Sequence, residues 1–350
     1  MRTGNQREPR QNLQVAGRDA QAADAPHQSK GGHGQGSGSA RGPTPELELV
    51  LCGTLRASSP AGKLEQHLPA PPSSYERLQY RNNGFPLVIH ADDFGETVGI
   101  TNGIRQGIEA GALTSTSIMA NMPATSYALE RVGALAGQAS FGVHLNLCEG
   151  RPLTAATTLI DERGEFLSKQ KVIHRALSGK LALEELEKEI AAQIAVVRDA
   201  GVPISHVDGH KHLHQLPIVS TAVANVLPRF GIGRVRLTRL KSFAALGKKG
   251  TLLRELAAWR AARIFRKAGL HSPVRTLDLG EILDKGFGRR GPSALVDARG
   301  AVELCCHPAA TQDKPGSHRR PAELEYLLSS GFRELLQQLR ARPVSYWEVG

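Results

Sequence analysis

The strongest chemical signal in the chain is the run His206–His214, in which four histidines and one aspartate occupy every second position. In an extended strand, alternate side chains point to the same face, so the run could present five metal-ligand groups on one side. Pro217 favours a helix start shortly afterwards. The pattern predicts a strand that ends in a polar loop before a helix. Active sites of α/β enzymes lie at such strand ends. The alternative is an exposed cluster that binds metal by accident.

Three further polar motifs end short apolar segments of the kind that form buried strands. They are the pair Asp92-Asp93, His144, and His307. In a parallel sheet the carboxyl ends of all strands lie on one side, so these groups can converge. One carboxylate and two imidazoles leave open positions on a divalent ion, which lowers the pKa of bound water, and a second carboxylate can take the proton. Taken singly, the motifs could instead be a turn, a core histidine and a strand cap.

The elements that must position these groups alternate along the chain from residue 86. Strand-like segments lie at 86–91, 114–122, 141–147, 234–237, 302–306 and 344–349, in addition to the one that carries the histidine run. Helix-like segments lie at 98–110, 123–136, 183–200, 217–230, 251–268 and 321–340. This alternation predicts an α/β fold with a mainly parallel sheet, open or closed into a barrel.

Composition limits the other classes of function. The net charge of +11 raises the question of nucleic acid, but the basic residues are scattered among acidic ones and carry no RNA-binding or zinc-finger motif. We therefore expect no nucleic-acid partner. The four cysteines have no CxxC spacing, and no segment has the apolar length of a signal peptide or a membrane span. These features predict a cytoplasmic protein with reduced thiols and no membrane span.

The first part of the chain differs in composition from the rest. Residues 1–84 are rich in Gly, Ser, Pro, Gln and Arg, and the stretch 31–45 resembles a flexible linker. We interpret 1–84 as a low-complexity, disordered extension and 85–350 as the folded domain. The patch Leu47–Cys52 is the one apolar segment of the extension that could form a strand.

Together, the motifs resemble those of the YdjC-like carbohydrate deacetylases, relatives of chitooligosaccharide deacetylase and of the hopanoid-associated deacetylases, over roughly residues 86–350. The residues that carry the resemblance are Ala91–Gly95, Thr114–Ser117 with Asn121, His144–Leu147 with Glu149–Leu153, His206–His214 with Pro217, and Cys306–Pro308. The resemblance implies a distorted (β/α) barrel of the glycoside hydrolase/deacetylase type. It also implies a hydrolase that removes the acetyl group from an N-acetylated sugar, such as an N-acetylglucosamine-containing oligosaccharide or glycolipid.

The resemblance also implies a cofactor and roles for single residues. The expected cofactor is a divalent metal ion, Mg²⁺ in the first place and Zn²⁺ or another transition metal in the second. Asp93 and His144 match two of the metal ligands. Among the histidines of the run, His210 matches the remaining ligand. Asp92 matches the general base, and His307 matches the acid for the leaving amine. The chain departs from the family at His90, where asparagine is usual.

Two other functions and the assembly stay open at this stage. A metal-dependent phosphoesterase on a similar barrel is the second hypothesis, because His- and Asp-rich sites also hydrolyse phosphoesters. A non-catalytic sugar- or nucleic-acid-binding relative is the third. The sequence does not specify which acetylated sugar would bind, and a homodimer is the expected assembly only by likeness to the family.

The composition of the extension yields a first prediction. Residues 1–80 contain too little apolar sequence to fold alone, and every motif follows them. Removing residues 1–80 should therefore leave the melting temperature and the rate of acetate release nearly unchanged. A truncated protein that is insoluble or inactive would mean that Leu47–Cys52 supplies a strand to the fold.

Overall fold

The structure is a computed structural model that describes residues 84–238, 251–285, 300–314 and 319–350. The extension predicted at 1–84 lies outside these ranges except for Gly84. All statements below concern the described residues. Within them, no helix is both long enough and apolar enough to cross a membrane.

Seven parallel strands form one sheet at the centre of the domain. They are β1 Phe85–Phe94, β2 Ser115–Ile118, β3 Ser140–Leu145, β4 Ile204–Gly209, β5 Arg275–Asp278, β6 Val302–Cys306 and β7 Ala341–Pro343. The order across the sheet is β4-β3-β2-β1-β6-β5, and β7 pairs with the beginning of β1. Because both faces of such a sheet are covered, the central strands are almost wholly buried, which explains their apolar runs.

Helices connect the strands and cover the sheet. They are α1 Val98–Glu109, α2 Thr125–Leu135, α3 Lys169–Leu177, α4 Leu183–Asp199, α5 Pro217–Val226, α6 Thr251–Lys267, α7 Leu279–Lys285, α8 Arg320–Leu328 and α9 Ser330–Gln338. Short 3₁₀ turns occupy His210–Gln215, Leu227–Phe230 and Tyr346–Glu348. Local sequence sets several boundaries, since the Thr97 side chain accepts a hydrogen bond from the Ile100 amide at the start of α1 and Pro217 opens α5.

An irregular segment continues the ring of strands beyond β4. Val207 of β4 donates its N–H to the Arg234 carbonyl, and Val235 donates to the carbonyl of His271, which precedes β5. The predicted strand at 234–237 is thus reduced to isolated bridges. These bridges join β4, at one edge of the sheet, to the segment that leads into β5 at the other edge. The α/β fold and its distorted barrel form are therefore confirmed.

The end of the chain departs from the sequence prediction. The predicted helix at 321–340 is two helices, because Ser329 is extended and its side chain accepts a hydrogen bond from the Phe332 amide, which starts a new helix. The predicted strand at 344–349 is wrong, since the strand is at Ala341–Pro343 and a 3₁₀ turn follows. The pair β5 and α7 was not predicted, because a four-residue strand with charged ends leaves no apolar run.

Close packing of α1 yields a prediction on stability. A Cβ added at Gly103 would lie 2.5 Å from the Ala309 Cα, whereas one added at Gly133 of α2 would meet nothing within 4 Å. Gly103→Ala should therefore destabilise the fold by about 1–3 kcal/mol, as overpacking does. The matched control Gly133→Ala should stabilise it by about 0.4–1 kcal/mol. Urea unfolding of both variants measures the difference, and equal effects would contradict it.

Candidate metal centre

The end of β1 carries two neighbouring aspartates, Asp92 and Asp93, which a regular strand would point to opposite faces. The register between β1 and β2 shifts between Ala91 and Phe94, and Asp93 adopts a left-handed φ of 72°. Such a conformation costs a residue other than glycine on the order of 1–3 kcal/mol and is typical of functional sites. The bulge turns Asp93 toward His144 in β3 and His210, which follows β4.

Asp93 meets His144 of β3 and His210, which directly follows β4. The Asp93 Oδ1 lies 3.2 Å from His144 Nε2 and 3.0 Å from His210 Nδ1. All three residues are buried, and their donor atoms lie within 4.8 Å of one another. The other oxygen, Asp93 Oδ2, accepts a 2.5 Å hydrogen bond from Arg320 Nη2. The structure thus brings together the three residues that the family resemblance implied as metal ligands.

The surroundings of this trio fit a divalent cation. His144 Nδ1 lies 2.8 Å from Asp208 Oδ1, and His210 Nε2 lies 3.2 Å from Glu149 Oε1. A carboxylate on the far nitrogen is the usual partner of a metal-ligating histidine, because it fixes the tautomer and the ring orientation. Burial alone would raise the pKa of Asp93, but His210 and His144 hold that pKa well below its ordinary value. Burial would lower the pKa of His144 and His210, but Asp208 beside His144 and Asp93 beside His210 raise it. The trio therefore offers one ionised carboxylate and two oriented histidines that would release a proton on binding a metal.

The other histidines of the run lie elsewhere. β4 ends before His210, and His212 has a φ of 60°, so the alternation of a strand does not continue. His206 stacks on Tyr346 with ring centroids 3.6 Å apart, and His214 Nε2 lies 3.0 Å from the carbonyl oxygen of Arg236. The five groups of the run therefore do not share one face, and His210 is the histidine of the run that joins the trio.

Arg236 lies fully buried among three carboxylates, and no sequence motif marks it. Its guanidinium lies 2.7 Å from Asp92 Oδ1, 3.0 Å from Asp208 Oδ2 and 2.8 Å from Glu303 Oε1. Burial would raise the pKa of Asp92, but the Arg236 charge beside it holds that pKa well below its ordinary value. Asp92 is therefore an ionised, fixed hydrogen-bond acceptor next to the trio.

His307 lies where β6 ends and faces Asp92. Its Nε2 is 3.7 Å from Asp92 Oδ2, and its Nδ1 is 3.9 Å from Asp278 Oδ2. The backbone N–H of His307 donates to Glu323 Oε2, which holds the loop in place. The His307 side chain is 29% exposed, so it lies between the buried Asp92 and the solvent. The two residues predicted as base and acid therefore stand face to face.

Two lysines at the mouth of the site were missed by sequence reasoning. Lys314 Nζ lies 2.8 Å from Glu149 Oε2 and also contacts Glu96, and Lys211 contacts the other oxygen of Glu149. Nothing in the local sequence separates these lysines from the other basic residues of the chain. They balance the acidic residues around the trio and make the mouth polar.

Comparison with known families agrees with the motifs. Residues 86–338 match the family of YdjC-like proteins, and the chain belongs to that family. It is 39% identical over 235 residues to a carbohydrate deacetylase of Thermoanaerobacter pseudethanolicus, a match that covers 65% of this chain and 82% of the relative. It is 29% identical over 265 residues to a chitooligosaccharide deacetylase of Yersinia enterocolitica, covering 74% of this chain and 97% of that protein.

Other matches are shorter. The chain spans about half the length of several curated relatives that it matches, each named carbohydrate deacetylase. Among solved structures, a protein of Enterococcus faecalis described as a candidate cellobiose-phosphate cleavage protein superposes with a TM-score of 0.60 at 23% identity. That match covers 75% of this chain and 98% of the other, and it supports the fold alone.

The burial of Arg236 yields a second stability prediction. Arg236→Met would leave the carboxylates of Asp92, Asp208 and Glu303 buried without their cation, which should cost about 3–5 kcal/mol in the free energy of unfolding. Arg105→Met, the control, breaks an exposed pair within α1 and should cost less than about 1 kcal/mol. Urea unfolding at neutral pH measures both. A similar small loss in the two variants would mean that Arg236 does not hold the site together.

Proposed function

We propose that the protein is a metal-dependent carbohydrate deacetylase that hydrolyses the acetamide group of an N-acetylated sugar to acetate and an amine. One observation carries the proposal. The trio of Asp93, His144 and His210 lies beside the facing pair of Asp92 and His307. Membership of a family whose curated members include carbohydrate deacetylases supports the substrate class.

Asp93, His144 and His210 would hold the metal ion. When bound, a divalent cation supplies a Lewis acid for the acetyl oxygen and lowers the pKa of water. We propose Mg²⁺ as the first ion to test, as the family resemblance implies, and Zn²⁺ as the second, because imidazole ligands also suit zinc.

Asp92 takes the proton of the attacking water in this proposal. Its carboxylate is ionised and held by Arg236, so it can accept a proton without first moving. His90 Nε2 lies 3.3 Å from Asp92 Oδ1, on a second side of the carboxylate. His307 in its protonated form delivers the proton that the leaving amine nitrogen needs, and its exposure lets it recover a proton from solvent.

A phosphoesterase stays the competing hypothesis, and one observation favours it. Lys211, Lys314 and Arg320 lie around the mouth of the site, where cations could bind a phosphate. Each of them is paired with a carboxylate of the site, so the cations balance charge that is already present. We therefore rank deacetylation first. The cytoplasmic location and a homodimer remain predictions from the sequence.

A substrate screen separates the two hypotheses. Purified protein loaded with Mg²⁺ or Zn²⁺ should release acetate from N-acetylglucosamine oligomers and should leave phosphate esters of sugars intact. A chelator should abolish the activity, and adding the metal back should restore it. Acetate release that persists after chelation would exclude the metal mechanism, and phosphate release alone would favour the phosphoesterase.

Substitution of the two aspartates should have different effects on metal binding and turnover. Asp93→Asn should lose metal and activity together, and excess metal should restore some turnover. Asp92→Asn should keep the metal, while turnover falls roughly 10²–10⁴-fold, the usual worth of a positioned base. Metal content by mass spectrometry and acetate release are measured on the same preparations. Asp199→Asn, on the exposed end of α4, is the control and should change neither.

Two outcomes would contradict these roles. If Asp92→Asn loses the metal and Asp93→Asn keeps it, the roles are exchanged. If both variants keep metal and activity, the site lies elsewhere in the chain.

A further inference from the structure

A second set of possible metal ligands includes Asp92 and adds a cysteine that the proposed reaction does not use. It consists of Asp92, Cys305 and His307, whose donor atoms all lie within 4.8 Å of one another. His307 Nε2 is 3.7 Å from Asp92 Oδ2 and 4.0 Å from Cys305 Sγ. Asp92 and Cys305 are buried, and His307 opens to solvent, so a cation has a route into the set.

Strand pairing builds this set. Cys305 of β6 lies beside His90 of β1 in the parallel register, and on its other side beside Asp278 of β5. Alternation along an extended segment places Cys305 on the side of His307 and turns Cys306 away. Cys306 accordingly packs into the main apolar core, of which Cys305 is not a member. The two adjacent cysteines are thus a matched pair, one facing the donor set and one facing the core.

The chemistry of the donors selects a kind of ion. A thiolate and an imidazole are soft or borderline ligands that suit Zn²⁺, whereas Mg²⁺ takes oxygen ligands. His307 Nδ1, on the other side of the ring, lies 3.9 Å from Asp278 Oδ2, too far for a hydrogen bond but close enough for the negative charge to favour a cation bound to the ring. We propose that Asp92, Cys305 and His307 form a second site for a thiophilic divalent cation such as Zn²⁺, distinct from the trio around Asp93.

The local charges permit a cation there in spite of Arg236. Four carboxylates lie in this region. Arg236 pairs with three of them, Asp92, Asp208 and Glu303. The fourth, Asp278, lies near His307. Burial, followed by the charge of Asp92, raises the pKa of the Cys305 thiol, so the thiol is protonated in the resting protein. Binding of the cation breaks the S–H bond, forms a metal–thiolate bond and releases the proton to solvent.

Occupation of this site has a consequence that rests on the proposed function. Zn²⁺ bound there takes the carboxylate of Asp92 and the imidazole of His307, the two groups that move protons in the deacetylation. Zn²⁺ in excess should therefore inhibit an enzyme whose trio is loaded with Mg²⁺. The inhibition depends on Cys305, which the reaction itself does not use.

Cobalt(II) tests the binding without any enzyme assay. Co²⁺ accepts the same ligands as Zn²⁺ and gives a thiolate-to-metal absorption band when a cysteine binds it. Titration of the full chain with Co²⁺ should produce this band, Cys305→Ser should lose it, and Cys306→Ser should keep it. Asp93→Asn should also keep it, because that variant impairs only the other site. A second variant changes the partly exposed member of the set: His307→Gln should weaken Co²⁺ binding at least about tenfold.

An activity arm tests the consequence. With Mg²⁺ saturating, the inhibition constant of Zn²⁺ should rise at least about tenfold in Cys305→Ser and stay unchanged in Cys306→Ser. A cobalt band that is equal in Cys305→Ser and wild type, or lost equally in the two serine variants, overturns the site. A band at Cys305 without inhibition by Zn²⁺ overturns its inhibitory role. If the protein has no deacetylase activity, the proposed function is wrong. The cobalt titration still tests the second metal site, because it does not depend on that activity.

Discussion

The buried guanidinium of Arg236 is the interaction on which the rest of the site depends. It pairs with Asp92, Asp208 and Glu303, and each carboxylate then reaches a different part of the domain. Asp208 orients His144, and Glu303 accepts a hydrogen bond from the Tyr346 hydroxyl. Without the cation these carboxylates would repel one another in a medium that screens charge poorly. A single charge thus allows Asp92, the Asp208–His144 pair and the core around Tyr346 to be neighbours.

The same interaction explains how two adjacent aspartates acquire different environments. Asp92 follows the regular direction of β1 and faces Arg236, while the left-handed backbone at Asp93 turns its carboxylate toward His144 and His210. Two carboxylates that shared one environment would raise the pKa of one of them. Here each has its own cationic or hydrogen-bonding partners, so both are ionised at neutral pH. The strain at Asp93 is the cost of this separation.

The sequence predicted what is local and missed what is distant. The ends of β1, β3 and β6 are recognisable because a short, mostly apolar segment carries an acidic residue or a histidine at or near its end. This pattern leads to the pair Asp92-Asp93, His144 and His307. The pairing of Arg236 with Asp92 joins residues that are 144 positions apart, and no local pattern announces it. The histidine run misled for a related reason. Its alternation is that of a strand, but the backbone leaves the strand after Gly209, so the side chains disperse.

The resemblance implies asparagine at position 90, and the contacts of His90 explain how the core holds the larger residue. His90 Nδ1 lies 2.9 Å from Ser115 Oγ and Nε2 lies 3.1 Å from Ser117 Oγ, so both ring nitrogens have partners in β2. The ring meets the edge of His206 with centroids 5.0 Å apart. His206 in turn fits only because Gly142 has no side chain, since a Cβ there would lie 2.4 Å from the ring. His90 therefore joins His206 and Tyr346 in a group of buried, packed rings, and it lies 3.3 Å from Asp92 Oδ1.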